Sequence, residues 1–106
     1  MEQSSKTLTF VVPAYNMETY LERCVESLLS ATDNSDIEVL IVDDGSSDST
    51  PELADMYERR WPGNVRAIHQ VNKGHGGAVN TGIANATGMY VKVVDADDWV
   101  DMPSID

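Results

Sequence analysis

The chain has 106 residues, 42% of them hydrophobic and 24% charged, a composition that excludes collagen, coiled coil and wholesale disorder and leaves room for one domain. Seven Lys and Arg stand against 18 Asp and Glu, a net charge of −11, which repels phosphate backbones and anionic lipid and disfavours nonspecific nucleic-acid binding. An anionic ligand on such a surface needs a local remedy, either a metal ion or a helix N-terminus.

Residues 1–6 carry no apolar signal core, and no apolar run is long enough to cross a bilayer. The single cysteine, Cys24, can form no internal disulfide, which fits a reducing compartment. The expected setting is cytoplasmic, with any membrane attachment supplied by other parts of a longer parent chain.

Residues 7–12 are rich in β-formers and stop at Pro13, which cannot donate to a ladder, so a first strand is predicted there. Asn16 is placed to cap the helix that follows. Leu21, Cys24, Val25, Leu28 and Leu29 recur at helical spacing and form one apolar face, with Glu18, Glu22 and Glu26 opposite. After a polar turn, residues 37–42 have the near-continuous apolar content of a strand covered on both faces. They run into Asp43-Asp44-Gly45-Ser46-Ser47-Asp48. Ser49 with Glu52 reads as a capping box, and Pro51 sits in the first turn, where its missing N–H costs little. Leu53, Met56, Tyr57 and Trp61 line a second helix that Pro62-Gly63 ends.

Residues 65–69 make a weaker third strand, in which His69 is expected to be structural. Gly74, Gly76 and Gly77 form a glycine-rich turn. Ala78, Val79, Gly82, Ile83 and Ala86 continue at helical spacing up to a terminator at Gly88. Residues 89–94 are the fourth strand and lead into Asp95-Ala96-Asp97-Asp98-Trp99. The order β-α-β-α-β-α-β, with short connections, implies a parallel sheet with right-handed crossovers.

All strands of such a sheet end on one rim, where ligands bind. Pro13, Ala14, Tyr15 and Asn16 follow the first strand, and Asp43 and Asp44 the second. Asn72, Lys73 and His75 follow the third, and Asp95, Asp97 and Asp98 the fourth. Five carboxylates at one edge repel one another and raise each other's pKa. A divalent cation removes that cost. Asp-x-Asp offers hard oxygen ligands suited to Mg²⁺ or Mn²⁺, which commonly bridge carboxylates to substrate phosphates. Carboxylates left over can accept hydrogen bonds from a ribose hydroxyl or a base N–H, and Tyr15 can stack on a base.

These segments resemble the N-terminal half of a family 2 glycosyltransferase with the GT-A fold. The resemblance rests on four motifs in order: residues 11–16 (Val-Val-Pro-Ala-Tyr-Asn), 42–50 (Val-Asp-Asp-Gly-Ser-Ser-Asp-Ser-Thr), 72–83 (Asn-Lys-Gly through Asn-Thr-Gly-Ile) and 95–98 (Asp-Ala-Asp-Asp). It implies a three-layer α/β/α fold with a mainly parallel four-stranded sheet in the order 3-2-1-4, the Rossmann-like half of a GT-A enzyme. It also implies a nucleotide-diphosphate sugar donor, a UDP-sugar above all, and inverting transfer to an acceptor such as a glycan or lipid-linked sugar. By position, Pro13 and Tyr15 would border the base, and one of Asp43 and Asp44 would contact base or ribose. Lys73 and His75 fall in the loop near the base and diphosphate. Asp95 and Asp97 match the metal-binding Asp-x-Asp, with Asp97 the first choice as direct ligand and Asp98 a neighbour able to take that role. The family's acceptor pocket and catalytic base belong to a later half, so residues 1–106 are expected to be a single, truncated donor-binding domain of a longer enzyme.

The glycine run lacks the placement of a dinucleotide fingerprint and the Walker lysine. A phosphatase would want an aspartate where Pro13-Ala14-Tyr15 stand, and a receiver domain one where Gln70-Val71-Asn72 stand. The competing expectation is a catalytically incomplete fragment that forms a homodimer through apolar surface on the fourth strand.

Overall fold

Seven elements alternate along the chain: β1 (Leu8–Ala14), α1 (Glu18–Ala31), β2 (Ile37–Asp44), α2 (Thr50–Arg60), β3 (Val65–Gln70), α3 (Gly74–Asn85) and β4 (Tyr90–Val93). The structure is a computed structural model that describes residues 7–31 and 36–95. The strands form one parallel sheet in the order β3-β2-β1-β4, the expected order. None of the described helices is long and apolar enough to cross a membrane.

Period-two alternation divides the sheet into two faces. Phe10, Val12, Ala14, Val39 and Ile41 point to the side covered by α1 and α2, where Leu21, Cys24, Val25, Leu28, Leu29 and Tyr57 complete the larger core. The apolar face read from α1 is thus buried residue for residue. Val11, Leu40 and Val42 point the other way, under α3 and its Ala78. Gly82 lets α3 come close to β1: a Cβ there would lie 2.2 Å from Val11 Cγ1.

Several local expectations are corrected. β1 does not stop at Pro13 but pairs on to Ala14. The Val11 carbonyl accepts from Val94 on the β4 side, so Pro13, two residues on, turns its ring nitrogen past the end of β4, where no ladder bond is lost. The glycine-rich turn is itself the first turn of α3. Gly88 is not the terminator, because α3 ends at Asn85. A Cβ at Gly88 would sit 2.7 Å from the Thr9 nitrogen, so the chain approaches β1 there more closely than any other residue allows.

Glu38 explains that approach. It is a buried carboxylate in the middle of the sheet, an unexpected place for a charge. Its Oε1 accepts from Thr9 Oγ1, Thr87 N and Thr87 Oγ1 at 2.9–3.0 Å, and its Oε2 accepts from Arg66 at 2.8 Å. Burial alone would raise its pKa. The hydrogen bonds from Thr87, Arg66 and Thr9 outweigh burial and hold it below the usual carboxylate range. Through this charge the α3–β4 connection is tied to β1, β2 and β3.

Candidate functional site

At the C-terminal rim of the sheet lies a cleft of about 340 Å³, bounded by the end of β1, Asp44 of β2, the start of α3 and Asp95 beyond β4. Pro13, Ala14, Tyr15 and Met17 form one wall, and Asn72, Gly74, His75 and Ala78 the other. Most of its lining comes from positions that follow strands, as a parallel sheet dictates.

Tyr15 is 47% exposed, so a large part of its ring is open for contact. The next residue, Asn16, is not a helix cap. It has φ 53, in the left-handed region that Asn tolerates better than most residues. Its Oδ1 accepts from Ser47 N at 2.8 Å, and its N–H donates to Ser46 Oγ. The caps of α1 come from the β2–α2 loop and the first residue of α2 instead: Met17 N donates to Thr50 Oγ1 and Glu18 N to Asp48. In return Glu18 accepts from Ser49 N at 2.7 Å, so the expected capping box with Glu52 does not form. The serine-rich run after Asp43-Asp44-Gly45 is therefore a brace that locks two loops together and holds Tyr15 at the cleft.

The two adjacent aspartates of β2 face opposite ways. Asp43 shares the α1/α2 face, away from the cleft. Its Oδ1 accepts from Ser46 N, and its Oδ2 lies 2.8 Å from His69 Nδ1. His69 Nε2 lies 2.7 Å from Asp55 of α2. Two hydrogen-bonded carboxylates raise the pKa of the ring above its ordinary value, because only the imidazolium donates to both. His69 thus ties β3 to β2 and α2 on the face away from the cleft.

Asp44 shares the α3 face and lines the cleft, with only 3% of its surface exposed. Its Oδ1 accepts from Gln70 Nε2 at 2.9 Å and from Lys73 N at 2.8 Å, while Asn72 Nδ2 donates to its main-chain carbonyl. Among the described residues its Oδ2 takes no hydrogen bond. A buried carboxylate oxygen without a partner is costly unless a ligand completes it. Lys73 acts on Asp44 through its main chain, and the cleft lining does not include it.

His75 and Asp95 meet across the mouth of the cleft, His75 Nε2 lying 3.5 Å from Asp95 Oδ1. Both are substantially exposed. The first turn of α3 also borders the cleft, so the partial positive charge of a helix N-terminus lies where an anion would sit. For a divalent cation the chemistry of Asp95 fits: it is a hard oxygen donor at the open side of the cleft. No three His, Cys, Asp or Glu side chains among the described residues come together closely enough to hold a metal ion. Asp97 and Asp98 lie outside the described residues.

The cleft therefore unites Pro13, Tyr15, Asp44, His75 and Asp95 of the expected residues and leaves out Asp43 and Lys73. Gln70 and Thr81 escaped the sequence reading. The signal for Gln70 is its register, since Asp43 and Asp44 pair with His69 and Gln70 across the β2–β3 ladder.

Residues 9–105 match the family model described as Glycosyl transferase family 2. Over 93 residues the chain is 45% identical to the uncharacterized glycosyltransferase EpsJ of Bacillus subtilis (strain 168), covering 88% of this chain and 26% of that protein. The fold matches S. aureus TarS 1-349 in complex with UDP-GlcNAc with a TM-score of 0.81 at 29% identity, over 93% of this chain and 29% of that one. It matches the mannosyltransferase PcManGT of Pyrobaculum calidifontis, in complex with GDP-Man and Mn²⁺, with a TM-score of 0.78 at 27% identity, over 89% and 28%. The chain thus spans about a quarter to a third of the length of these relatives. Its parallel α/β sheet is that of GT-A glycosyltransferase structures.

Proposed function

The chain belongs to glycosyl transferase family 2, and we propose that its cleft binds the donor of a sugar transfer, a nucleotide-diphosphate sugar carrying uridine. The observation that carries this reading is Asp44, a buried carboxylate with one oxygen saturated by protein donors and the other left for a ligand in the cleft. Its Oδ2 accepts from a base N–H or a ribose hydroxyl. Tyr15 stacks on the base, and Pro13 borders it. Asp43 contributes indirectly, by holding the turn at Ser46.

The diphosphate lies toward the first turn of α3, near His75, with the Lys73 side chain as a further positive charge. The complexes of TarS with UDP-GlcNAc and of PcManGT with GDP-Man and Mn²⁺ support a nucleotide sugar and a divalent cation, Mn²⁺ or Mg²⁺. Asp95 and Asp97 would hold the cation, with Asp98 beside them. When bound, it offsets the negative charge that develops on the departing diphosphate. An acceptor hydroxyl attacks the anomeric carbon from the face opposite the diphosphate, which inverts that centre. The base that takes its proton belongs to the rest of a longer protein, and the acceptor is a glycan or lipid-linked sugar of polysaccharide or glycoconjugate synthesis.

Calorimetric titration of UDP with and without Mn²⁺ tests the reading. Binding is expected to be stronger with the metal. Asp97→Ala should remove the metal-dependent part alone, and Asp44→Ala should weaken binding under both conditions. Folded protein that takes up no UDP in either buffer refutes it. A second reading, an interaction module without catalysis, draws on the apolar surface around β4, where Met89, Tyr90, Val91 and Val93 are exposed. It requires a homodimer in light scattering, and a monomer at high concentration removes it.

A further inference from the structure

We propose that Gln70 and Thr81 form a positioning relay that orients the Asp44 carboxylate toward the nucleotide. The inference rests on the donor-site reading above and concerns two residues that do not line the cleft.

The direction of the relay follows from donor and acceptor chemistry. An ionised carboxylate only accepts, so the Gln70 amide must turn its NH₂ to Asp44 Oδ1, at 2.9 Å. That turns Gln70 Oε1 toward α3, where Thr81 Oγ1 lies 2.7 Å away. Thr81 has one hydroxyl proton and two acceptors in reach, Gln70 Oε1 and the Gly77 carbonyl at 3.0 Å. The amide oxygen is nearer and has its N–H already polarised by a charge, so the proton goes there. Thr81 thus fixes the Gln70 amide, and Gln70 fixes Asp44.

The relay matters because a carboxylate rotates easily about its last torsion. With Lys73 N as sole donor, the two oxygens of Asp44 would be interchangeable and the plane of the group loosely set. The second donor, rooted in α3 through Thr81, defines Oδ1 as the protein-facing oxygen and leaves Oδ2 for the ligand. β3, the β3–α3 loop and α3 all converge on this one group, which is more anchoring than a carboxylate in a solvated turn requires.

Thr81→Val removes the hydroxyl and keeps the shape, and Gln70→Leu removes the amide. Each is expected to weaken UDP binding in the presence of Mn²⁺ by roughly 3- to 10-fold, the worth of one hydrogen bond. Thr81→Ser should restore it. In an Asp44→Ala background the same two substitutions should change nothing, because the relay acts only through that carboxylate. Equal weakening in both backgrounds, or none in either, overturns the relay while a loss of affinity in Asp44→Ala itself leaves the donor-site reading standing. UDP binding indifferent to Asp44→Ala overturns both.

Discussion

Gly82→Ala sets two physical effects against each other. Gly82 lies inside α3, where alanine is favoured over glycine by about 1 kcal/mol. Helix propensity alone therefore predicts a more stable protein. Packing predicts the opposite. The new Cβ would sit 2.2 Å from Val11 Cγ1 and 3.0 Å from Cγ2, against the 3.4 Å at which ordinary contact begins. Val11 is fully buried in β1, with β2 and β4 on either side. Its branched side chain has no flexible end to swing aside. The helix must lift by about 1 Å, which loosens the small core of Val11, Leu40, Val42 and Ala78. Overpacking of this kind costs about 1–3 kcal/mol, here toward the upper end because a rigid strand opposes a rigid helix. The net expectation is a loss of about 1–2 kcal/mol, and a melting temperature lower by roughly 5–15 °C for a chain of this size. Urea unfolding of wild type, Gly82→Ala, Val11→Ala and the double variant measures it. In the double variant the clash is gone while the helix gain remains, so its loss should be about 2–3 kcal/mol less than the sum of the two single losses. A Gly82→Ala protein as stable as wild type, or a double variant that is merely additive, would refute the reasoning.

Three further outcomes follow from the geometry. Glu38→Gln should destabilise by about 2 kcal/mol in urea unfolding, because its amide cannot accept from Thr9, Thr87 and Arg66 together and leaves a donor facing a donor; retained stability would mean that the cluster is slack. His69 contributes stability fully below its unfolded pKa near 6.5 and loses it as pH rises through its higher folded pKa. Solvent screening limits this to about 1 kcal/mol, so unfolding free energy should fall by that much above neutrality in wild type and stay flat in His69→Gln. Asn16→Ala should be less stable than Asn16→Gly by about 1 kcal/mol, since both lose the bond from Ser47 but only alanine strains at φ 53; equal melting curves would remove the strain from the account.

Much of the fold was legible in the residues. Hydrophobic period changes with secondary structure, so the alternation of strand and helix and the buried face of α1 could be read without coordinates. Local capping was misread at Asn16 and Ser49 because their partners lie about 31 positions away, across two loops. Those two residue types cap helices so often that sequence favours the local partner. Gly88 was taken for a helix stop for the same reason: glycine serves turns and close approaches alike, and only the neighbouring strand tells them apart.

The residues alone determined that a parallel sheet would gather carboxylates at one rim, because every strand in such a sheet ends on the same side. That neighbouring Asp43 and Asp44 face opposite ways came from the structure, in which β2 runs on past residue 42 to Asp44 and its side chains alternate. Tertiary structure decided the rest. Which face α3 covers depends on the crossovers and on the tight fit at Gly82, and that choice assigned Asp44 to the cleft and Asp43 to His69. The partners that turn an acidic residue into an oriented acceptor, Gln70, Thr81 and the Lys73 main chain, come from another strand, a helix and a loop. Their convergence is set by register and packing, quantities that no single stretch of chain contains.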